Sequence, residues 1–391
     1  MKKIFLFASI FITILFSAQT FIAAYQNRVD QISQTNVNNY LTEFAALGIK
    51  RTGTANNNSA FDWLKSKYLS FGYGIDQISE NAFNYNGNTS KNLIVTKTGT
   101  LYPNTFVIVC GHYDTIGGPG VNDNGSGTAI ILEMARILKN IPTEYSIKFI
   151  NFSGEEQGLL GSQHYVNTVV NATNPKMNIK LVFNIDEVGG VAGQVNNTIT
   201  CERDTNNSPS TNNAASNQIT QELMNCVALY SPLQTNLSYA YASDYMPFQA
   251  NNEVITGFYE YNVSTYPHSS NDTLANMDPV FVYQVAKAAL GAVQHFSTAT
   301  SEILSVENCS PQKMIQSLKI FPNPTSNFVH IEILNSNLRD YSFIISDLNG
   351  KILLESKNEK MINVSQLPSG IYLGTLQVED QKTTKKILIK K

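Results

Sequence analysis

The segment TFVIVCGHYDT, residues 105–115, decides the fold class of most of this chain. Its apolar side chains run unbroken from Phe106 to Cys110 and leave no polar face, so a strand built from them is covered on both sides. Gly111 closes the run, and His112 and Asp114 follow at once. Similar short apolar runs flank it: NLIVTK at 92–97, SIKFINF at 146–152 and LVFNID at 181–186. Around them the apolar spacing turns helical. GTAIILEMARILKN at 127–140 is stopped by Pro142, and residues 35–75 read as helical, with Phe61, Trp63, Leu64 and Tyr68 on one buried face. Helical spacing returns at 218–230 and 279–297. Doubly buried strands among helices predict an α/β fold, a central sheet sandwiched by helices. Residues 191–216, rich in Asn, Thr and Ser, read as a long surface excursion at its rim.

After residue 297 the pattern changes. Residues 298–317 read as a linker, and over 318–391 the period becomes two, in VHIEIL, YSFIISD, KILLES, GIYLGTLQV and KKILIK. Turn signals such as Asn349-Gly350 and Pro368-Ser369-Gly370 separate these strands. A small all-β, sandwich-like domain is expected there, physically independent of the α/β domain at 19–297. At the other end, Lys2 and Lys3 precede an apolar stretch from Ile4 to Phe16, and Ser17-Ala18 offers small residues for cleavage. Residues 1–18 therefore read as a signal peptide, the apolar run being too short for a stable membrane span.

Of 391 residues, 42% are hydrophobic and only 15% charged, with a net charge of -3. A polar, weakly charged surface fits a protein at work outside the cell, and the lack of basic runs argues against nucleic acid as a partner. The four cysteines, Cys110, Cys201, Cys226 and Cys309, show no CxxC spacing, which speaks against a thiolate zinc site. In an oxidising compartment Cys201 and Cys226 could close a disulfide over a flexible stretch. A free Cys226 on its helix is the alternative, and Cys110 reads as a buried strand residue.

Five segments place an acid or a histidine beside glycine or in a polar loop, mostly at the ends of apolar strands. They are GHYDT (111–115), NDNGSG (122–127), SGEEQG (153–158), NIDEVG (184–189) and PHSSND (267–272). In α/β sheets, ligands bind in the crevice beyond the carboxyl ends of the strands. A histidine after a buried strand is more often structural than metal-binding. Asp114 changes the reading of His112, because two residues along the same extended segment it can hold the imidazole through its second nitrogen. Asp123 alone would pass for a helix cap, yet a carboxylate there can also bridge two cations with both oxygens. Glu155 and Glu156 can point to different sides of one pocket, one binding metal while its neighbour takes a proton. Asp186 ends an apolar run, where an unpaired charge is costly and a cation removes the cost. His268, in a polar loop, would be unremarked without the others; His164, His295 and His330 fall outside the set. Two imidazoles, three binding carboxylates and one spare carboxylate fit a two-metal site with Asp123 shared. Zinc is the natural ion for such mixed ligation.

Taken in order, GHYDT, NDNGSGT, GEEQGLLGS, NIDEVG and HSSNDT, with RTGT at 51–54, resemble the co-catalytic di-zinc exopeptidases of the secreted bacterial leucyl aminopeptidase and yeast aminopeptidase Y type. The resemblance covers roughly residues 35–297 and implies a mixed central sheet of the zinc exopeptidase fold. It also supplies the pairing: His112 and Asp186 on one Zn2+, Glu156 and His268 on the other, Asp123 bridging. Glu155 becomes the general base and Asp114 the support of His112, for hydrolysis of peptides with a free N-terminus. LKIFPNPTSNFVHIEI, DLNGKIL, LPSGIYLGTLQ and the terminal KKILIKK resemble the C-terminal sorting domain of type IX secretion. That implies export to the medium or cell surface with the type IX machinery as a partner.

Two positions depart from the family pattern. Glu187 stands where the family often has Met, and Tyr245 where it often has His. Tyr245 is a candidate substrate contact, as an oxyanion donor or a pocket wall. The aromatics Tyr239, Tyr241, Phe248, Phe258, Tyr259 and Tyr261 predict an apolar or aromatic preference for the N-terminal residue. The competing readings are a glutaminyl cyclase with one zinc, a carboxypeptidase, and an inactive surface binding module.

Overall fold

The computed structural model describes residues 19–204, 208–301, 317–334, 341–347, 350–378 and 381–391. They fall into two compact units that divide near residue 303. The expected signal peptide, most of the expected linker, Cys309 and Asn349 lie outside the described residues.

The first unit is built on eight strands: β1 (Ile78–Tyr85), β2 (Asn88–Lys97), β3 (Tyr102–His112), β4 (Tyr145–Phe152), β5 (Asn178–Ile185), β6 (Thr198–Arg203), β7 (Gln234–Tyr239) and β8 (Ile255–Glu260). Their order in the sheet is β1-β2-β4-β3-β5-β8-β6-β7. The central four, β4, β3, β5 and β8, run parallel, while β2 and β6 join them antiparallel, so the sheet is mixed. Side chains alternate between its faces. Val107, Val109, Leu181 and Phe183 enter one core, and Ile108, Cys110, Ile150 and Val182 enter the other. Each such buried aliphatic or aromatic side chain contributes roughly 1.5–3 kcal/mol. A one-residue slip would exchange the two sets, so the register is tightly specified.

Helices cover both faces. On the first lie α1 (Ala23–Val29), α2 (Gln34–Ala46), α3 (Ala55–Ser70), α4 (Gly127–Leu138), α6 (Asn213–Tyr230) and α8 (Pro279–Phe296). On the second lie the shorter α5 (Leu160–Tyr165) and α7 (Met246–Ala250). Among the described residues no helix is long and apolar enough to cross a membrane.

Two expectations need correction. The helical stretch at 35–75 is two helices. The first ends at Gly48, whose φ of +68° suits a residue without Cβ, and the second starts where Thr54 Oγ1 accepts the Asn57 amide. The excursion at 191–216 contains β6, which inserts between β8 and β7 and buries Ile199 and Cys201. Of the two readings of Cys201 and Cys226, the structure has the free one: Cys110, Cys201 and Cys226 are all buried free thiols, with Cys201 on a strand rather than in a flexible stretch.

The second unit holds two antiparallel sheets. One has the order β13 (Met361–Asn363), β10 (Phe328–Leu334), β9 (Ser317–Phe321), and the other β12 (Ile352–Lys357), β11 (Ser342–Ser346), β14 (Gly370–Val378), β15 (Gln381–Ile389). Leu318, Val329, Ile331, Phe343, Ile345, Leu376 and Ile387 form their shared core.

Candidate metal centre and catalytic site

Each central strand delivers one piece of the site at its carboxyl end, the crevice expected of an open α/β sheet. His112 is the last residue of β3, and Asp186 follows β5 directly. Glu155 and Glu156 lie in the turn after β4, and His268 in the loop after β8. Asp123 sits in the irregular turn that feeds α4.

The geometry groups these residues around Asp123. Its Oδ1 lies 3.1 Å from His112 Nε2, and its Oδ2 lies 3.1 Å from His268 Nε2. His112 Nε2 is also 3.2 Å from Asp186 Oδ1, and His268 Nε2 is 2.9 Å from Glu156 Oε2. Two triads result, His112–Asp123–Asp186 and Asp123–Glu156–His268, each with its ligand atoms within 4.8 Å of one another. Imidazole and carboxylate donors in threes, with room for a further ligand, are what zinc takes in catalytic sites. Glu156 Oε1 is buried without a hydrogen-bond partner, and a cation between these side chains would satisfy it. The residues present therefore fit zinc.

A further set of contacts aims this group. His112 Nδ1 lies 3.0 Å from the Asp114 backbone carbonyl, which can only accept, so Nδ1 carries the hydrogen and Nε2 faces the acids. The Asp114 carboxylate stands further off, at 3.7 Å, and instead accepts Thr52 Oγ1 at 3.1 Å and the Glu155 amide at 3.3 Å. Its support of His112 thus runs mainly through the main chain, and its carboxylate fixes the Glu155 turn. Ser243 Oγ donates to Asp186 Oδ2 at 2.6 Å, and Asn184 Nδ2 donates to Ser243 at 2.8 Å. The Asp272 carboxylate accepts the amides of Asn122 and Asp123, at 2.7 and 3.0 Å, so the His268 loop holds the Asp123 turn. A Cβ on Gly117 or Gly118 would fall 2.0 Å from the His268 carbonyl or 1.8 Å from that of Ser269. Only glycine lets these two loops pack backbone to backbone.

The side chains of this set are short of positive charge: two imidazoles face the acids. Burial pushes Glu155 up to about 10 against the pull of His112, with Asp186 and Asp244 adding to the rise. Burial and then the Asp123 charge push Glu156 up to about 8. At Asp123 burial acts the same way, but hydrogen bonds from His112 and His268 outweigh it and hold the carboxyl well below its usual range. His268 is raised to about 9, first by its bond to Asp123. At His112 burial opposes the charged form, yet the Asp186 and Glu155 charges carry it well above the ordinary imidazole value.

Of the other expected site residues, Tyr245 has a fully buried side chain; its hydroxyl donates to Glu202 at 2.7 Å and accepts the Tyr241 amide at 2.9 Å, which braces the 241–245 segment. Phe248 and Phe258 belong to the cores. Tyr241 and Tyr259 are half-buried with ring centroids 4.8 Å apart, and Tyr239 and Tyr261 are exposed. Thr52, Ser243 and Asp272 went unread in the sequence, although Thr52 and Asp272 each stand within segments already singled out.

Comparison with known proteins agrees with this geometry. Residues 92–293, a little over half of the chain, match Peptidase family M28, and residues 319–390 match the Secretion system C-terminal sorting domain. Aminopeptidase YwaD of Bacillus subtilis is 43% identical over 107 residues, 27% of this chain and 23% of that protein. A probable zinc metalloprotease of Pyrenophora teres f. teres is 30% identical over 190 residues, 42% of this chain and 39% of that protein. The matches thus span well under half the length of these relatives. In fold, the chain is similar to the LapA aminopeptidase of Legionella pneumophila, with a TM-score of 0.62 at 20% identity over 76% of this chain and 79% of that one. With strand-end histidines and acids drawn into two triads and a family match over more than half its length, this chain belongs to peptidase family M28 and carries a secretion-system sorting domain behind it.

Proposed function

We propose that the chain is an exported aminopeptidase working with two Zn2+ ions, His112 and Asp186 holding one, Glu156 and His268 the other, and Asp123 bridging them. The observation that carries this reading is Asp123, whose two oxygens each reach a different imidazole at 3.1 Å. Bound zinc supplies polarisation of a peptide carbonyl and of the attacking water. The protein supplies the proton path. Glu155 accepts a proton from the water at its carboxylate and returns it to the departing amine nitrogen. Its side chain suits that duty, being partly exposed and without a hydrogen-bond partner among the described residues. Asp114 keeps the Glu155 turn and His112 in register. Export would use the leader at 1–18 and then the type IX machinery, which the sorting-domain match supports.

The test is a panel of aminoacyl and N-acetylated aminoacyl substrates, assayed with metal removed and restored. Cleavage of free but not blocked substrates, lost on chelation and regained with zinc, is the expected result. Equal cleavage of both kinds, or activity indifferent to chelation, would overturn the proposal.

A further inference from the structure

Two carboxylates beside the site serve neither the ligand set nor the proton path: Asp244, which is fully buried, and Glu187, which is half-buried. Glu187 follows Asp186 directly, at the position where the family pattern often has Met. Its backbone is left-handed, with a φ of +46°, a conformation that side chains rarely adopt without an outside constraint. The constraint is visible: the Asp186 amide donates to the Phe258 carbonyl at 3.3 Å, and the Glu260 amide donates to the Glu187 carbonyl at 2.9 Å. The residue is thus clamped to the end of β8, and its side chain stays half-buried rather than leaving for solvent.

Three glutamates, Glu187, Glu202 and Glu260, lie with Asp186 within electrostatic reach of Tyr259. Two are already engaged. Glu202 accepts the Tyr245 hydroxyl at 2.7 Å. Glu260 accepts the Gly190 amide at 2.7 Å and the Ser264 amide at 2.6 Å, along with the Asn122 side chain. Glu187 alone makes no side-chain hydrogen bond or ion pair among the described residues. It stands within electrostatic reach of Asp123, Asp186, Glu260 and His112, and of both Tyr241 and Tyr259. Their rings are 4.8 Å apart and inclined by 56°, and the Glu187 carbonyl is tied to Glu260, the residue after Tyr259.

An apolar side chain would gain from the rings and leave Glu187 desolvated and unpaired. A lysine or arginine side chain satisfies both. Its alkyl stem lies on the aromatic surface and its charged head reaches the carboxylate, combining cation–π and charge-assisted contacts. We propose that Glu187 selects substrates whose N-terminal residue is basic, Lys or Arg, replacing the apolar or aromatic preference that the tyrosines alone would give. This rests on the aminopeptidase reading above.

The experiment compares the zinc-loaded full chain with Glu187→Met and Glu187→Gln. It measures kcat/KM on Lys-, Arg- and Leu-terminated substrates, and calorimetric binding of L-lysinamide and L-leucinamide. The wild type should favour Lys and Arg, and the Lys-to-Leu ratio should fall about 10–100-fold in Glu187→Met, the scale of a hydrogen bond to a charged group. The Gln variant, of the same shape, should fall with it. A ratio that does not move, or a wild type that favours Leu, overturns the assignment. So does an equal loss on all substrates, which would put Glu187 on the shared α-ammonium. If no free-amino substrate is cleaved, the aminopeptidase reading fails, and the binding arm still decides Glu187: a lysinamide preference lost in both variants supports it, none overturns it.

Discussion

Glu155→Gln should separate catalysis from folding and from metal binding. The fold holds Glu155 only by its main chain. Its amide donates to Asp114 Oδ1 at 3.3 Å, and its carbonyl accepts the amides of Gly158 and Leu159, both at 2.8 Å. Glutamine keeps those bonds and the side-chain volume, so the fold should be retained. The two triads contain no Glu155 atom, so zinc should stay. What disappears is a carboxylate able to take a proton. A positioned acid–base group is worth about 10²–10⁴-fold, or roughly 2.7–5.5 kcal/mol of barrier. The assay is steady-state kcat on a cleaved aminoacyl substrate, with zinc content by elemental analysis and Tm on the same preparation. A turnover near the parent's with zinc in place would refute the role, since another group would then be moving the proton. Loss of zinc would refute it differently, by making Glu155 a ligand.

Two further outcomes follow from the contacts around the ligands. Ser243→Ala removes the donor on Asp186 Oδ2 and should weaken one of the two zinc ions about 10–100-fold, the usual cost of losing such a support, measured by chelator competition. Equal weakening of both ions, or of neither, would count against the assignment of Asp186 to a single metal. The second outcome concerns pH. Without metal, His268 keeps its proton up to about 9 and Glu156 up to about 8, and His112 is raised as well, so zinc must displace these protons. Affinity should therefore climb with pH and level off above about 9, with roughly two or more protons released near neutrality; calorimetry in buffers of different ionisation enthalpy reads that number, and zero would refute it. The metal-free fold runs the other way: the raised His268 value adds stability that is complete below the free imidazole value and fades as pH passes about 9.

In the parallel centre of the sheet, β3, β4 and β5 were legible because they are apolar on both faces; β8, ITGFYE, broken by Gly257 and ending in Glu260, was not read. The outer strands were harder. In β1 and β7 most side chains are exposed or only partly buried, and their mixed composition hides the period of two. β6 was lost in an Asn- and Thr-rich stretch, though Ile199 and Cys201 alternate correctly. In the site, the acids and histidines were visible because charge beside an apolar strand end demands an explanation. Thr52, Ser243 and Asp272 gave no such signal, since polar residues in loops need none. At Tyr245 the sequence could not show that the hydroxyl has a buried partner, Glu202 on β6, which only the fold brings near.

The unbonded state of Cys110, Cys201 and Cys226 has a practical consequence. Burial raises all three thiols above their ordinary value, so in the native state they are both shielded and protonated, and thiolate-seeking reagents find little to attack. Each becomes reactive only when its core opens. Cys110 reports on one side of the sheet and Cys201 and Cys226 on the other. The protein thus carries a pair of intrinsic clocks: labelling rates followed residue by residue would time the opening of its two cores separately, with no probe engineered in. Assembly of this unit also requires no oxidant, so recombinant material can be raised in a reducing cytosol without waiting on bond formation.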